Sequence, residues 1–486
     1  MGRSDGGTSR HLEVERKFDV VDSTVAPSFD GLSAVSGVER SPVQQLEAVY
    51  YDTPDRDLAK RRVTLRRRTG GPDDGWHLKL PAGPDARTEV HAPLGGEVHV
   101  PLSAEVPESL RDIVAAIVRD RPLGPVARIQ NRRTVDVILG ADGSPVAEFC
   151  DDQVSAVRLP DGEEQAWREW ELELVGGADR ELLDRLSNRL LDAGAQPAAT
   201  GSKLARVLAV EPVPLPEEPV VRRAVAEHLE ELIAWDRAVR ADVDDAVHQM
   251  RVATRKIRSL LQSAGTPDDA WVLDELRQLA AILGVARDAE VLAERYHRAL
   301  DELAPELVRG PVRERLVDGA RRRYEHGLRR SLLAIRSQRY FRLLDALEEL
   351  VATPAGAGEQ AAAATVEAAH KRVRKAVKAA ADSSDGDEAL HRIRKGAKRL
   401  RYTAEAAGAK KVATRAKAVQ TLLGDYQDSV VSRTHLSQQA EAAHAAGEDT
   451  FTYGVLYRRE EELGARARAR LDGALAKLDK AVRRAR

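Results

Sequence analysis

Glu13-Val14-Glu15-Arg16-Lys17 places two carboxylates and an ammonium at alternate positions. In an extended chain those three side chains share one face. Alternate residues lie about 7 Å apart, so Glu13 and Glu15 can address one small cation or a close pair. Other segments carry faces of one sign. Arg66 and Arg68 alternate in Leu65-Arg66-Arg67-Arg68, and Lys79 ends Trp76-His77-Leu78-Lys79. Arg128 and Arg133 bracket a further strand start, and Glu148 stands alone in Val146-Ala147-Glu148-Phe149. Glu169, Glu171 and Glu173 alternate after Arg168, and the strand-like Gly201-Ser202-Lys203-Leu204-Ala205-Arg206 supplies two more cations. If all these faces pointed into a closed barrel, acids would gather on one wall and bases on the other. Such a lumen suits a divalent metal held against an oligophosphate, with hard carboxylate oxygens for Mg²⁺ or Mn²⁺ and guanidinium forks for phosphate. No glycine-rich phosphate loop offers another phosphate site. No Ser-His-Asp or Cys-His arrangement stands out, and Cys150, after the apolar Phe149, reads as a strand-end thiol rather than a nucleophile.

A second set of cations has helical spacing. His248, Arg251, Arg255 and Arg258 recur as His391, Arg394, Lys398 and Arg401, each set at i, i+3, i+7 and i+10, which stacks it along one helix stripe. Lys371-Arg372-Val373-Arg374-Lys375 and the neighbouring Lys256, Lys395, Arg399, Lys410, Lys411, Arg415 and Lys417 extend the basic surface. Downstream, Leu283-Gly284-Val285-Ala286-Arg287-Asp288 recurs as Leu423-Gly424-Asp425-Tyr426-Gln427-Asp428, and both read as turns. The repeated order predicts a duplicated helical bundle. A zinc site is disfavoured, because neither stripe has a second histidine at i+4.

Two kinds of element must position these groups. Up to about residue 210 the chain reads as short strands: Glu13–Val20, Gln45–Tyr51, Val63–Arg68, Trp76–Leu80, Arg128–Ile138, Val146–Phe149 and Arg168–Leu174. Helical patterns at Ser109–Asp120 and Asp179–Ala193 interrupt them. The rest is rich in Ala, Leu, Arg and Glu and reads as all helix. This predicts a flexible N-terminus over 1–10, a tunnel domain over 11–207, a proline-rich linker over 208–219 and a helical domain over 220–486. At 486 residues, two domains are the expectation from length as well. One cysteine excludes an intramolecular disulfide framework and fits a reducing compartment. No apolar run reaches about 18 residues, and Met1–Arg10 does not read as a signal peptide, so a cytoplasmic protein with no membrane partner is expected. A net charge of −2 excludes a uniformly basic nucleic-acid binder, and sparse aromatics on the helical part disfavour stacking on single strands.

At these residues the chain resembles two known families. Glu13-Val14-Glu15-Arg16-Lys17 is similar to the ExExK signature of the CYTH superfamily, the triphosphate tunnel metalloenzymes. Tyr50-Tyr51-Asp52-Thr53-Pro54, Leu65–Arg68 and Gly75–Lys79 resemble the next segments of thiamine triphosphatase and bacterial inorganic triphosphatases. The resemblance implies an α+β domain built on an eight-stranded antiparallel β-tunnel that hydrolyses triphosphates with Mg²⁺ or Mn²⁺. It assigns Glu13, Glu15, Glu148, Glu171 and Glu173 to the metal, and Lys17, Arg66, Arg68, Lys79, Arg133 and Lys203 to phosphate. It also implies that Tyr50 and Lys79 assist water activation or leaving-group protonation. The repeats resemble the CHAD domain, which implies an all-α part of two similar bundles around a basic cavity for inorganic polyphosphate, the eight stripe residues lining it. A cytoplasmic, metal-dependent triphosphatase acting on inorganic tripolyphosphate or a related triphosphate is therefore expected, with polyphosphate, or granules of it, as partner. A polyphosphate-binding scaffold with a silent tunnel and a nucleotide cyclase remain open.

Overall fold

The structure, a computed structural model, describes residues 8–32, 34–94, 105–210, 220–264, 270–353, 366–381 and 386–485. The chain divides into two compact units, 1–214 and 215–486. The linker segment 211–219, residues 265–269 and 354–365, and the first seven residues lie outside the described residues.

The first unit has strands β1 (Ser9–Val20), β2 (Gly37–Arg40), β3 (Gln44–Asp52), β4 (Thr64–Thr69) and β5 (Gly75–Gly83). Then come β6 (Ala86–Ala92), β7 (Gly124–Leu139), β8 (Pro145–Arg158), β9 (Glu164–Leu174) and the short β10 (Gln196–Pro197). Antiparallel pairing runs β1-β6-β5-β4-β3-β7-β8-β9, and β9 pairs back onto β1, so eight strands close. Closure leaves no free edge along this ring and gives each strand one lumen face and one outer face. Where α4 covers the barrel, the outer faces are apolar. Phe18, Phe149, Trp170 and Leu172 pack with Leu182, Leu183, Leu186 and Leu190 of helix α4. Here α1, α2 and α3 are the short helices Asp57–Lys60, Glu108–Ile113 and Ala115–Val118, α4 is Arg180–Asp192, and α5 is Lys203–Leu208. Asp179 caps α4 by accepting from the Glu181 amide. Burying each such leucine stabilises the unit by about 1.5–3 kcal/mol, which holds α4 against the barrel.

Several expectations need correction. Ala86–Ala92 is a strand that the hydrophobic pattern did not disclose. The strand expected to end at Phe149 continues to Arg158, so Cys150 lies mid-strand, buried, its thiol pushed up to about 12 chiefly by burial. The Gly201–Arg206 segment is not extended: Ser202 caps a helix by accepting from Ala205, and Lys203 opens it. The helix expected over Ser109–Asp120 is two short pieces joined at Val114.

The second unit is helical: α6 (Val220–Arg240), α7 (Ala246–Ala264), α8 (Ala270–Asp301), α9 (Gly319–Ile335) and α10 (Gln338–Ala352). The second half has α11 (Val366–Ala381), α12 (Gly386–Ala406), α13 (Lys410–Ala445), α14 (Phe451–Ala469) and α15 (Leu471–Arg484). The halves share a core in which Tyr296, Leu300 and Leu316 meet Leu436, Ala443, Tyr453 and Leu456. Leu283–Asp288 and Leu423–Asp428 are not turns but lie inside α8 and α13. Their glycines admit a neighbour: a Cβ at Gly284 would lie 3.1 Å from the Arg251 guanidinium, and one at Gly424 would lie 3.6 Å from that of Arg394. No helix among the described residues is long and apolar enough to cross a membrane.

Gly70 sets the β4–β5 turn. Its φ is +94°, and a Cβ would lie 2.1 Å from the Gln45 carbonyl oxygen. Gly70→Ala should therefore cost about 1–3 kcal/mol of stability, read as a lower urea midpoint with an unchanged slope.

Candidate active site and cationic helix cluster

Cross-strand register arranges the lumen in rows. Glu15 on β1 pairs with Glu173 on β9, which pairs with Glu148 on β8. Three carboxylates therefore stand side by side, an arrangement that repels itself. Across the barrel, Ala48 and Tyr50 on β3 pair with Arg68 and Arg66 on β4, and Arg133 projects from β7. Glu13, Glu15, Lys17, Tyr50, Arg66, Arg68, Lys79, Arg133, Glu148, Glu171, Glu173 and Lys203 all line one cavity of about 450 Å³. Every tunnel residue that the resemblance assigned to metal, phosphate or proton transfer is thus brought together, whereas Glu169 and Arg206 do not line the cavity. Nor does Arg128, which is exposed and pairs with Glu47 at 2.6 Å outside the barrel.

The two walls are electrostatically incomplete in opposite senses. Burial, then Glu13, Glu15 and Glu171, raise the Glu173 carboxyl to about 8 against the pull of Lys79. Burial likewise raises Glu13, although Lys79 donates to it at 2.6 Å. On the other wall, burial, Arg66 and Arg133 bring Arg68 down to about 10 despite Asp73. Burial alone would push the Tyr50 phenol up, but Arg66, Lys203 and Lys79 hold it below its ordinary value. Arg66 Nη1 donates to the Tyr50 hydroxyl at 3.4 Å.

Glu171 stands apart from the carboxylate row. Lys17, Arg133 and Lys203 all pair with it. Asp152, Glu169 and Glu171 converge closely enough to hold a metal ion. Lys203 Nζ already sits among them, 2.7–2.8 Å from each. Arg133 also forks onto Asp152 at 2.6 and 2.8 Å. This cage braces the lumen. Lys17 joins the two groups by donating to Glu15 at 2.8 Å.

Sequence reasoning missed two acids here, Glu89 and Asp152. Glu89 is buried between Lys79, 3.0 Å away, and His77 Nδ1, 2.5 Å away. The alternation Arg87-Thr88-Glu89-Val90-His91 was the available signal. Asp152 follows Glu148 at a spacing of four, on the same strand face.

The carboxylate row fits a hard divalent cation. Its donors are all carboxylate oxygens, and its protonation-prone members gain most from a nearby positive charge. Glu13, Glu15, Glu148 and Glu173 are the residues that would hold Mg²⁺ or Mn²⁺.

In the helical unit the stripes face each other. Arg255 of α7 feels Arg394 and Tyr402 of α12, and burial first, then Arg251, Arg394 and Arg258, lower it. Burial, then Arg255, Arg394, Arg401 and Arg251, bring Lys398 down to about 7. Arg401 lies over the Tyr402 ring at 4.4 Å, and Lys398 at 5.6 Å. His391 Nδ1 is 3.4 Å from the Gln427 amide oxygen of α13. His248 is lowered by burial and by Arg287. Arg258 completes the first stripe one turn beyond Arg255, its Nε buried without a hydrogen-bond partner, as are those of Arg394 and Arg401.

The fold and lumen define a triphosphate-tunnel type of domain joined to a helical domain. A CYTH domain model matches residues 11–200, and a CHAD domain model matches residues 223–437. The uncharacterized protein Rv2226 of Mycobacterium tuberculosis strain H37Rv is 62% identical over 509 residues, covering 98% of each chain; MT2285 of strain CDC 1551 matches equally. The chain belongs to this family of fused CYTH–CHAD proteins. The crystallised CHAD domain of Ricinus communis is 23% identical, with a TM-score of 0.39 over 54% of this chain and 90% of that one. HpAC1 of Hippeastrum, described as having a dominant triphosphatase activity, is 14% identical, with a TM-score of 0.22 over 42% of this chain and 100% of that one.

An anion bound between the stripes favours the Lys398 ammonium and raises its pKa. Binding of a polyanion there at pH 8 should take up about one proton, measured calorimetrically in buffers of different ionisation enthalpy. Lys398→Arg should abolish the uptake. An equal uptake in that variant would show that another group titrates.

Proposed function

We propose that the first unit is a metal-dependent triphosphatase acting on inorganic tripolyphosphate or a related triphosphate, and that the second binds inorganic polyphosphate. The observation that carries this reading is the pairing of an over-acidic row with an over-basic wall in one closed lumen. Each lacks the counter-charge that one half of a metal–triphosphate complex supplies. The bound divalent ion would neutralise developing charge on the phosphoryl oxygens. Arg66, Arg68 and Arg133 would grip the terminal and central phosphates, and Lys17 would reach them beside the carboxylates. Lys203, held by three carboxylates, would act on phosphate mainly by keeping Glu171 and Arg133 in place. Tyr50, with its phenol drawn down by Arg66, would orient the attacking water, and Lys79 would donate a proton to the departing phosphate oxygen. Charged side chains dominate the described lining of the lumen, with Leu46, Ala48, Ile129, Val135 and Val137 among them, which favours hydrolysis of a bare phosphate chain over a cyclase, whose substrate carries a base.

The second unit supplies a string of guanidinium and ammonium groups from both repeats, spaced for a linear polyanion. His248 and His391 would hydrogen-bond phosphate at the ends of the stripes. Binding of this type weakens steeply with salt. The tunnel and helical spans assigned above, 11–207 and 220–486, are proposed as the working units.

Full-length protein should release phosphate from tripolyphosphate only with Mg²⁺ or Mn²⁺. Glu13→Gln/Glu15→Gln should reduce kcat by at least about 10³-fold, and Arg66→Ala by about 10²–10³-fold, with the fold intact by circular dichroism. Equal release by wild type and the double variant would refute the enzymatic reading and leave the scaffold. Because Glu173 must lose a proton to ligate, Mn²⁺ binding followed by electron paramagnetic resonance should tighten as pH rises through about 8.

A further inference from the structure

At the end of the tunnel where β4 turns into β5, a second group of ligating side chains lies apart from the carboxylate row. His77 on β5 and His91 on β6 are direct cross-strand partners, with ring centroids 5.0 Å apart. The turn between β4 and β5 brings Asp73 back over them. One ligand atom from each of Asp73, His77 and His91 lies within 4.8 Å of the other two. Gly75 makes room for this approach, since a Cβ there would lie 2.1 Å from His91 Nε2.

The contacts of these rings leave a charge unaccounted for. His77 is fully buried, with Nδ1 2.5 Å from Glu89 Oε1 and Nε2 3.1 Å from the Asp73 carbonyl oxygen. His91 Nε2 faces the Asp74 carbonyl oxygen at 3.3 Å and Asp73 Oδ1 at 3.6 Å. A neutral His77 that donates from Nδ1 to Glu89 presents a lone pair at Nε2, and that lone pair meets oxygen lone pairs. Either a proton or a metal ion must lie among them. Burial first, and then the Arg66 and Arg68 charges, oppose a proton on His77 while Glu89 favours one; the convergence of two imidazoles and a carboxylate on one point is the arrangement a metal ion uses.

We propose that His77, His91 and Asp73 form a second metal site, for a transition-metal dication of the zinc class. Two imidazoles and one carboxylate are the donors such an ion prefers, whereas Mg²⁺ prefers an all-oxygen set. A carboxylate on the far nitrogen, here Glu89 on His77 Nδ1, is the usual support of a metal-bound histidine. Arg68 Nη2 pairs with Asp73 Oδ2 at 2.6 Å, which leaves Oδ1 for the ion. The ion would pin the β4–β5 turn to the tunnel wall and, through Asp73, fix the Arg68 guanidinium. This site does not depend on the tunnel being catalytic.

Co²⁺ is a visible stand-in for Zn²⁺ and can be titrated into untagged full-length protein, with excess Mg²⁺ filling the carboxylate row. The expected result is one equivalent giving the intense visible bands of four-coordinate cobalt, displaced by Zn²⁺. His91→Ala and Asp73→Asn should each weaken binding at least about tenfold. Neither side chain is fully buried, and circular dichroism checks their folding. Glu13→Gln/Glu15→Gln should keep the bands. Absence of four-coordinate bands, or bands that persist in His91→Ala, would overturn the proposal. Bands lost only in the Glu13/Glu15 variant would do so too, by assigning the cobalt to the carboxylate row.

Discussion

Like charges placed side by side in a closed lumen are the constraint on which the rest of this molecule's first unit depends. Glu15, Glu173 and Glu148 occupy adjacent positions on three neighbouring strands, and their burial in a barrel weakens the screening of their repulsion. The fold tolerates the row because apolar packing outside it, from Trp170 and Phe149 to the leucines of α4, overdetermines the strand register. A one-residue slip of β9 would send Glu171 and Glu173 outward and Trp170 and Leu172 into the lumen. The outer core therefore enforces the inner electrostatics.

Two kinds of ionic contact divide the lumen. Around Lys203, three carboxylates and Arg133 satisfy one another, and such a buried network holds geometry rather than adding much stability. At Glu173 and Arg68 the charges remain in excess, and both groups shift toward neutrality. A site that binds a metal and an oligoanion needs both conditions: a braced frame and unspent charge. The helical unit repeats the second condition with one sign only, where Arg255, Arg394 and Lys398 crowd together from two helices.

Much of this was legible in the sequence because strand periodicity and charge sign coincide. Glu13, Glu15, Arg66, Arg68, Lys79, Arg133, Glu148 and Glu173 all reach the same cavity, since alternation puts every second residue of a strand on one face. What failed has local causes. β6 carries Arg87, Thr88, Glu89 and His91 and few large apolar residues, so its alternation gave no hydrophobic signal, and Glu89 was lost with it. Asp152 was lost because β8 was ended too early, at an inward cysteine taken for a strand end. Lys203 reaches the lumen from a capped helix, which alternation cannot describe. Gly284 and Gly424 were read as turn formers, yet each serves the close approach of an arginine to a helix. The pairing of Glu171, assigned to the metal by resemblance, with Lys17, Arg133 and Lys203 was not legible, because the three cations come from three separate elements.

The central claim is that metal and triphosphate complete opposite walls of one lumen, so each should strengthen binding of the other. The most direct test is calorimetric binding of tripolyphosphate to a slowly turning Tyr50→Phe protein, with Mg²⁺ and with chelator. The account predicts at least about tenfold tighter binding with the metal, and loss of that difference in Glu15→Gln/Glu173→Gln. Equal affinity with and without the divalent ion would contradict it.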